Sequence, residues 1–119
     1  MKKNALIFYK REIEKSSGKQ PYVRSAYFKK EKVFFNYFWP HIFQKPPKER
    51  FKRLKYFKAA VELAKNSRNR PASKENPNKR GEILHRFAGL TRDKEVFFIQ
   101  IKEDKKSKKK YFMSCFPPE

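Results

Sequence analysis

His41, His85, Arg86 and Ser114 are the residues of this chain whose types and settings suit chemistry best. The two histidines are the natural proton carriers, because imidazole is the side chain that titrates unperturbed near neutral pH. Arg86 follows His85 directly in Glu82-Ile83-Leu84-His85-Arg86-Phe87, and Ser114 lies in the apolar closing run Tyr111–Phe116. A cation beside a hydroxyl and a proton carrier is a set that can hold a phosphodiester and move protons on it. Nucleotide triphosphate use is disfavoured, since only three glycines, Gly18, Gly81 and Gly89, are present and none forms a phosphate-cradling loop. No acidic cluster offers a seat for two metal ions, and two histidines and one cysteine are too few for a zinc site. For an RNA-cutting enzyme the route left open is metal-free, with no cofactor expected: a 2′-hydroxyl attacks its own phosphate while a base takes its proton, an acid protonates the leaving oxygen, and cations stabilise the phosphorane.

Each of these residues also has a plainer reading. His85 keeps apolar company and serves equally as a core histidine. Strand alternation sets Glu82, Leu84 and Arg86 on one face and Ile83, His85 and Phe87 on the other, so a regular strand cannot aim His85 and Arg86 at one substrate. Either a bulge intervenes, one of the two is structural, or one works from the sheet edge. The same alternation puts Ser114 with Phe112 and Phe116, opposite Tyr111, Met113 and Cys115. There its hydroxyl either bonds the backbone or orients a phosphate beside an arginine. No nucleophile-elbow motif surrounds it, which argues against serine hydrolase chemistry. His41 follows Pro40 among aromatic rings that fix it for catalysis or for packing, and Arg53 is placed on a helix from which it can reach a sheet.

The net charge of +20, from 32 Lys+Arg against 12 Asp+Glu, far exceeds what solubility asks of a small domain. It implies a polyanionic partner, RNA ahead of DNA or acidic protein. Lys45, Arg53, Arg80, Lys105, Lys106, Lys108, Lys109 and Lys110 are the candidate RNA-binding residues, the last five grouped on one hairpin. Nothing alternates with a continuous apolar face as a membrane-surface helix requires, and no segment approaches a membrane span. The basic start with five apolar residues is too short for a signal peptide, so a cytoplasmic setting is expected. Cys115, alone, forms no internal disulfide and reads as a buried, inert thiol.

The elements that must position these residues read as α+β: an N-terminal hairpin or helical region and one long helix packed on a C-terminal antiparallel sheet, in a single domain over residues 1–119. Aromatics make up 17% of the chain, including 13 Phe, enough for a compact core of rings. Residues 1–20 read either as a strand at Ala5–Tyr9 or as a helix through Ile13. Tyr22–Phe28 and Lys32–Phe38 form a hairpin around Lys29-Lys30-Glu31. Pro46-Pro47 opens a helix from about Lys48 to Asn66, with Phe51, Leu54, Phe57, Val61 and Ala64 as its apolar stripe. Residues 67–80 are a loop, either a lid or a linker, and Glu82–Phe87, Glu95–Ile101 and Lys110–Phe116 form an antiparallel meander.

The helix, the Asn76-Pro77 connection, His85-Arg86-Phe87-Ala88-Gly89, Phe97–Ile101 and Phe112-Met113-Ser114-Cys115-Phe116-Pro117 together resemble the phage-associated branch of the barnase–EndoU–colicin–RelE-like (BECR fold) ribonucleases. The likeness covers residues 38–117, and residues 1–37 stand outside it as an extension. It implies one or two helices before a four-stranded antiparallel sheet, and RNA cleavage without metal by a toxin of a toxin–antitoxin or contact-dependent system. It places the site at His41, at Arg86 with His85, and at Ser114, and it implies an acidic antitoxin covering the basic face. Two features depart from the pattern, the long connection after the helix and the N-terminal hairpin. A basic RNA-binding module without chemistry, ribosome-associated for example, is the alternative the same charge and rings permit.

Overall fold

In a computed structural model of the chain, which describes residues 14–15 and 20–118, three helices cover one face of a mixed sheet. The strand expected at Ala5–Tyr9, or the helix through Ile13, lies outside the described residues, and β1, Glu14–Lys15, follows it. The other strands are β2 (Pro21–Ser25), β3 (Glu31–Phe34), β4 (Ala72–Glu75), β5 (Glu82–Leu90), β6 (Val96–Asp104) and β7 (Lys110–Phe116). The helices are α1 (Phe38–Phe43), α2 (Pro47–Leu54) and α3 (Phe57–Asn66). Strand order is β1-β2-β3-β7-β6-β5-β4.

The hairpin at β2–β3 forms around the expected lysines, with both strands shorter than the apolar runs suggest. Lys29 and Lys30 turn the chain at φ of 57° and 65°, in the left-handed region, which β-branched residues resist. The meander β4–β5–β6–β7 is antiparallel throughout. The short parallel joint of β3 to β7, Val33 to Lys110 and Phe34 to Tyr111, makes the whole sheet mixed and fuses hairpin and meander.

The helical region departs from expectation in two places. Phe38 continues no strand: it begins α1, whose first turn accommodates Pro40 because an N–H there has no intrahelical partner. The single helix expected from Lys48 to Asn66 is two, broken at Lys55-Tyr56, where Tyr56 adopts φ −97° and ψ 1°. Leu54, Tyr56 and Phe57 are all buried, and no straight helix points all three at one core. The break lets Tyr56 stack on Phe97 at 5.7 Å and bond Glu95 through its hydroxyl at 3.1 Å, while Phe57 turns to Phe38. It also rotates Phe51 out of the stripe, leaving it 58% exposed.

The core lies between the helices and the sheet and is built of rings, as the composition implies. Phe35 stacks on Phe112 at 4.6 Å, and Phe38 meets Phe112 edge-on at 5.3 Å. Gly89 of β5 admits α3: a Cβ there would stand 2.8 Å from Phe97 and 3.0 Å from Leu63. Among the described residues no helix is long and apolar enough to cross a membrane.

Candidate active site

Pairing across the meander assigns each side chain to a face, since residues directly opposite one another point the same way. β5 pairs with β6 without interruption from Glu82 to Leu90, so His85 and Arg86 point to opposite faces of the sheet. His85 lies opposite Ile101, under the helices, and Arg86 lies opposite Gln100 on the outer face. β7 is not regular. Its pairing to β6 slips between Gln100 and Ile101, which align with Ser114 and Phe112 and leave Met113 as the extra residue. The bulge reverses the expected phase: Ser114 stands apart from Phe112, opposite Gln100 on the outer face, while Phe112 and Cys115 face the core.

Arg86, Gln100 and Ser114 therefore form one row across three strands. Arg53 joins it from α2, which packs beside β7 where β3 has ended. The Cys115 thiol donates to the Arg53 carbonyl at 3.2 Å and anchors the helix. Burial pushes that thiol up to about 12, so it stays protonated and inert. The Arg53 guanidinium bonds the Ser114 hydroxyl and is held from behind by Glu49, at 3.1 Å from Nε and 3.0 Å from Nη2. Arg53 and Arg86 both stand over the Phe116 ring, 5.7 and 5.2 Å from its centre, and Arg86 is also 5.9 Å from the centre of Phe98. Arg86 is exposed and has no carboxylate partner among the described residues. Half-buried His41 on α1 belongs to the same neighbourhood. Its burial holds its pKa below the usual imidazole value, and the Lys45 and Arg53 cations push in the same direction. The neutral form of its imidazole is thereby favoured over the imidazolium.

Further along the outer face, Lys102 stands 4.6 Å from the Tyr37 ring centre and 5.3 Å from that of Tyr111. Glu82, the carboxylate nearest His85 in sequence, is no free base. Burial pushes its carboxyl up, but the hydrogen bond from Asn76 at 3.0 Å and the cations of Lys79 and Lys102 outweigh this and hold it below the ordinary range.

On the inner face of the sheet, buried His85 is the centre of a polar chain that runs out to exposed Ser73 at one end and exposed Glu31 at the other. Its Nε2 meets Glu103 at 2.8 Å and its Nδ1 meets the Ser73 hydroxyl at 2.7 Å. Phe28 packs edge-on to the imidazole at 5.1 Å. In the neutral ring Nε2–H donates to the carboxylate and Nδ1 accepts from Ser73. Lys110 stands 3.9 Å from the other Glu103 oxygen, pairs with Glu31 at 3.1 Å and donates to the Lys108 carbonyl at 3.0 Å. Its side chain is only 5% exposed, so its ammonium is structural and not on the lysine-rich surface where the sequence places it.

The remaining basic residues lie at the far end of the sheet. Lys106, Lys108 and Lys109 are exposed on the β6–β7 turn, and Lys105 pairs with Glu75 at 2.5 Å. Arg80 lines an open concavity with Gly81, Asp104 and Lys105. The turn begins five residues along β6 from Gln100, about 17 Å at the strand rise. Lys45 is half-buried beside His41.

Sequence reasoning passes over Gln100, Phe98 and Phe116 on the outer face and Ser73, Glu103 and Glu31 beneath. Gln100 carries a signal, a lone amide at the alternate position of an apolar strand. Ser73 carries none, because β4 is exposed along its whole length and reads as loop. Among the described residues no three His, Cys, Asp or Glu side chains gather as metal ligands. No protein-family model, curated protein or solved structure matches the chain.

Proposed function

We propose that the protein is a metal-independent endoribonuclease of toxin type, acting on RNA laid across the outer face of the sheet. The observation that carries this reading is the convergence of three elements on one place, Arg86 from β5, Ser114 from β7 and Arg53 from α2; His41 of α1 is near enough for the Arg53 charge to act on it. In this reading the two guanidiniums hold the phosphate, with Ser114 fixing the approach of Arg53. His41 takes the proton of the 2′-hydroxyl as its oxygen attacks phosphorus. The bond to the 5′-oxygen breaks, that oxygen takes a proton from water admitted at the open face, and a cyclic phosphate remains. His85 takes no part, because the sheet stands between it and the phosphate. The resemblance to the BECR-fold ribonucleases points to the same chemistry, and an acidic antitoxin is the partner that the charge of +20 suits.

A second reading, RNA binding without cleavage, is favoured by the cation–ring pairs of Lys102 with Tyr37 and Tyr111 on the same face, which suit base stacking and need no histidine. Induced expression in bacteria separates the two. Wild type is expected to arrest growth and break RNA into discrete fragments, and the purified protein to cut RNA with a chelator present, both abolished in Arg86→Ala. Intact RNA at equal protein levels leaves the binding reading alone.

A further inference from the structure

Beside Arg86 the outer face carries a concavity of about 280 Å³, lined by Ala72, Ser73 and Lys74 of the edge strand β4, Leu84 and Arg86 of β5, and Gln100 of β6. It adjoins the row described above, since Arg86 and Gln100 belong to both. Its size falls just under the roughly 300–1,000 Å³ of pockets that take drug-sized ligands, so it has room for one flat ring system. Leu84, Ala72 and the aliphatic stems of Lys74 and Arg86 supply apolar wall. The Gln100 amide supplies one donor and one acceptor side by side, and among the described residues nothing hydrogen-bonds it. An amide left open in a half-apolar recess, next to a guanidinium without a carboxylate, is the chemistry of a base next to its own phosphate.

We propose that this recess is a base-recognition subsite that takes an unstacked purine, read by Gln100, while Arg86 holds the adjoining phosphate. The inference rests on the RNA reading of this face. A Gln side chain matches adenine well: the carbonyl oxygen accepts from the exocyclic amine, and the amide N–H donates to the neighbouring ring nitrogen. Adenine presents that pattern on two edges, where cytosine presents it on one, and a purine covers more of the apolar wall than a pyrimidine. Single-stranded RNA is read in this way, through bases splayed out of the stack onto their hydrogen-bonding edges. Specificity then arises beside the scissile phosphate, and the hairpin lysines, about 17 Å away along β6, serve register-free attraction to the backbone.

The test is equilibrium binding of 2′-O-methyl pentauridylates, which cannot be cut, with the central base exchanged for adenine, guanine or cytosine. Wild type is expected to bind the adenine-centred strand about tenfold tighter than the uridine or cytidine strands, the low end of the discrimination that a bidentate amide gives. Gln100→Leu should erase that preference and leave pyrimidine binding within about twofold. Ala72→Phe, which fills the recess from the exposed edge strand and leaves Gln100 in place, should do the same, so the test does not hang on one variant folding. Binding that depends on Arg86 yet shows no base preference, or a preference that survives both variants, overturns the subsite and leaves the RNA reading intact. No binding of any strand by wild type overturns both.

Discussion

The two faces of the sheet carry similar residues to opposite ends. Beneath the helices, Ser73, His85, Glu103, Lys110 and Glu31 form a chain in which each polar group has a partner, and His85 and Lys110 are less than 10% exposed. On the outer face, Arg86 and Gln100 sit one strand apart with no carboxylate on the first and no hydrogen bond on the second among the described residues. Buried polar groups that lose a partner destabilise a fold, whereas an open guanidinium over two rings contributes little to folding and much to an incoming anion. The difference separates what holds the protein together from what it can hold. It also divides neighbours in sequence: His85 and Arg86 are consecutive, and the first turns inward to its partners while the second turns outward without a carboxylate among the described residues.

The comparison breaks first if the neighbours behave alike. Arg86→Ala is expected to lower RNA cleavage by about 10²–10³-fold, the worth of one charged donor aimed at a developing anion. Its thermal midpoint should stay within a degree or two of wild type. His85→Ala should show the reverse: destabilisation of about 2–3 kcal/mol from the largely buried Glu103 carboxylate that loses its donor and from the lost packing on Phe28, with cleavage per folded molecule largely kept. Activity assays alongside thermal unfolding decide it. A fully folded His85→Ala protein without activity would place the imidazole in the chemistry and erase the division drawn here.

Lys110→Met sharpens the same contrast, because the sequence groups Lys110 with its exposed neighbours. Removal of its buried ammonium takes the nearby cation from both Glu31 and Glu103. We expect a loss of about 2–3 kcal/mol, below the full cost of a broken buried pair because Glu31 is 55% exposed. Lys108→Met and Lys109→Met should leave stability unchanged and only weaken RNA binding with a shallower salt dependence. Equal unfolding curves for all three variants would mean that the buried chain contributes nothing.

Much of this arrangement is legible in the sequence where the signal is local. The β2–β3 turn lysines, the three meander strands and the opposite facing of His85 and Arg86 all follow from alternation and turn composition. What is not legible depends on a partner. The Met113 bulge exists only as a mismatch between β7 and β6, and no residue of β7 announces it, yet it alone carries Ser114 to the side of Arg53. The break at Tyr56 depends on Phe97 and Glu95, some forty residues on. β4 has no buried side chain to pattern, and the parallel β3–β7 joint involves only two residue pairs. The candidate site was thus visible as a set of residues and invisible as a place.

Gly89→Val tests the packing that keeps the helices on one face only. Its Cβ would meet Phe97 and Leu63 at 2.8 and 3.0 Å, and both side chains must move. The overpacking is expected to cost about 1–2 kcal/mol, measured by denaturant unfolding, with no change in cleavage by the folded fraction. A neutral substitution would show that α3 rides on the sheet loosely enough to yield.

The smallest effect concerns His41, half-buried on α1. Burial disfavours its imidazolium, and Lys45 and Arg53 repel it, so its folded pKa lies below 6.5. As a base it must be neutral, and kcat/KM should rise with pH along a limb below 6.5 and then level off. Lys45→Gln removes one repelling charge and leaves burial and Arg53 in place, so the limb should move to higher pH, and added salt should move the wild-type limb the same way. The same depressed pKa acts on folding with a definite sign. The unfolded chain binds the proton first, so stability is unaffected above 6.5 and falls as pH drops from there through the folded value. His41→Gln should remove that contribution and the limb together. A limb that stays in place in Lys45→Gln and persists in His41→Gln would assign the proton to another group and return His41 to the role of a packed ring beside Pro40.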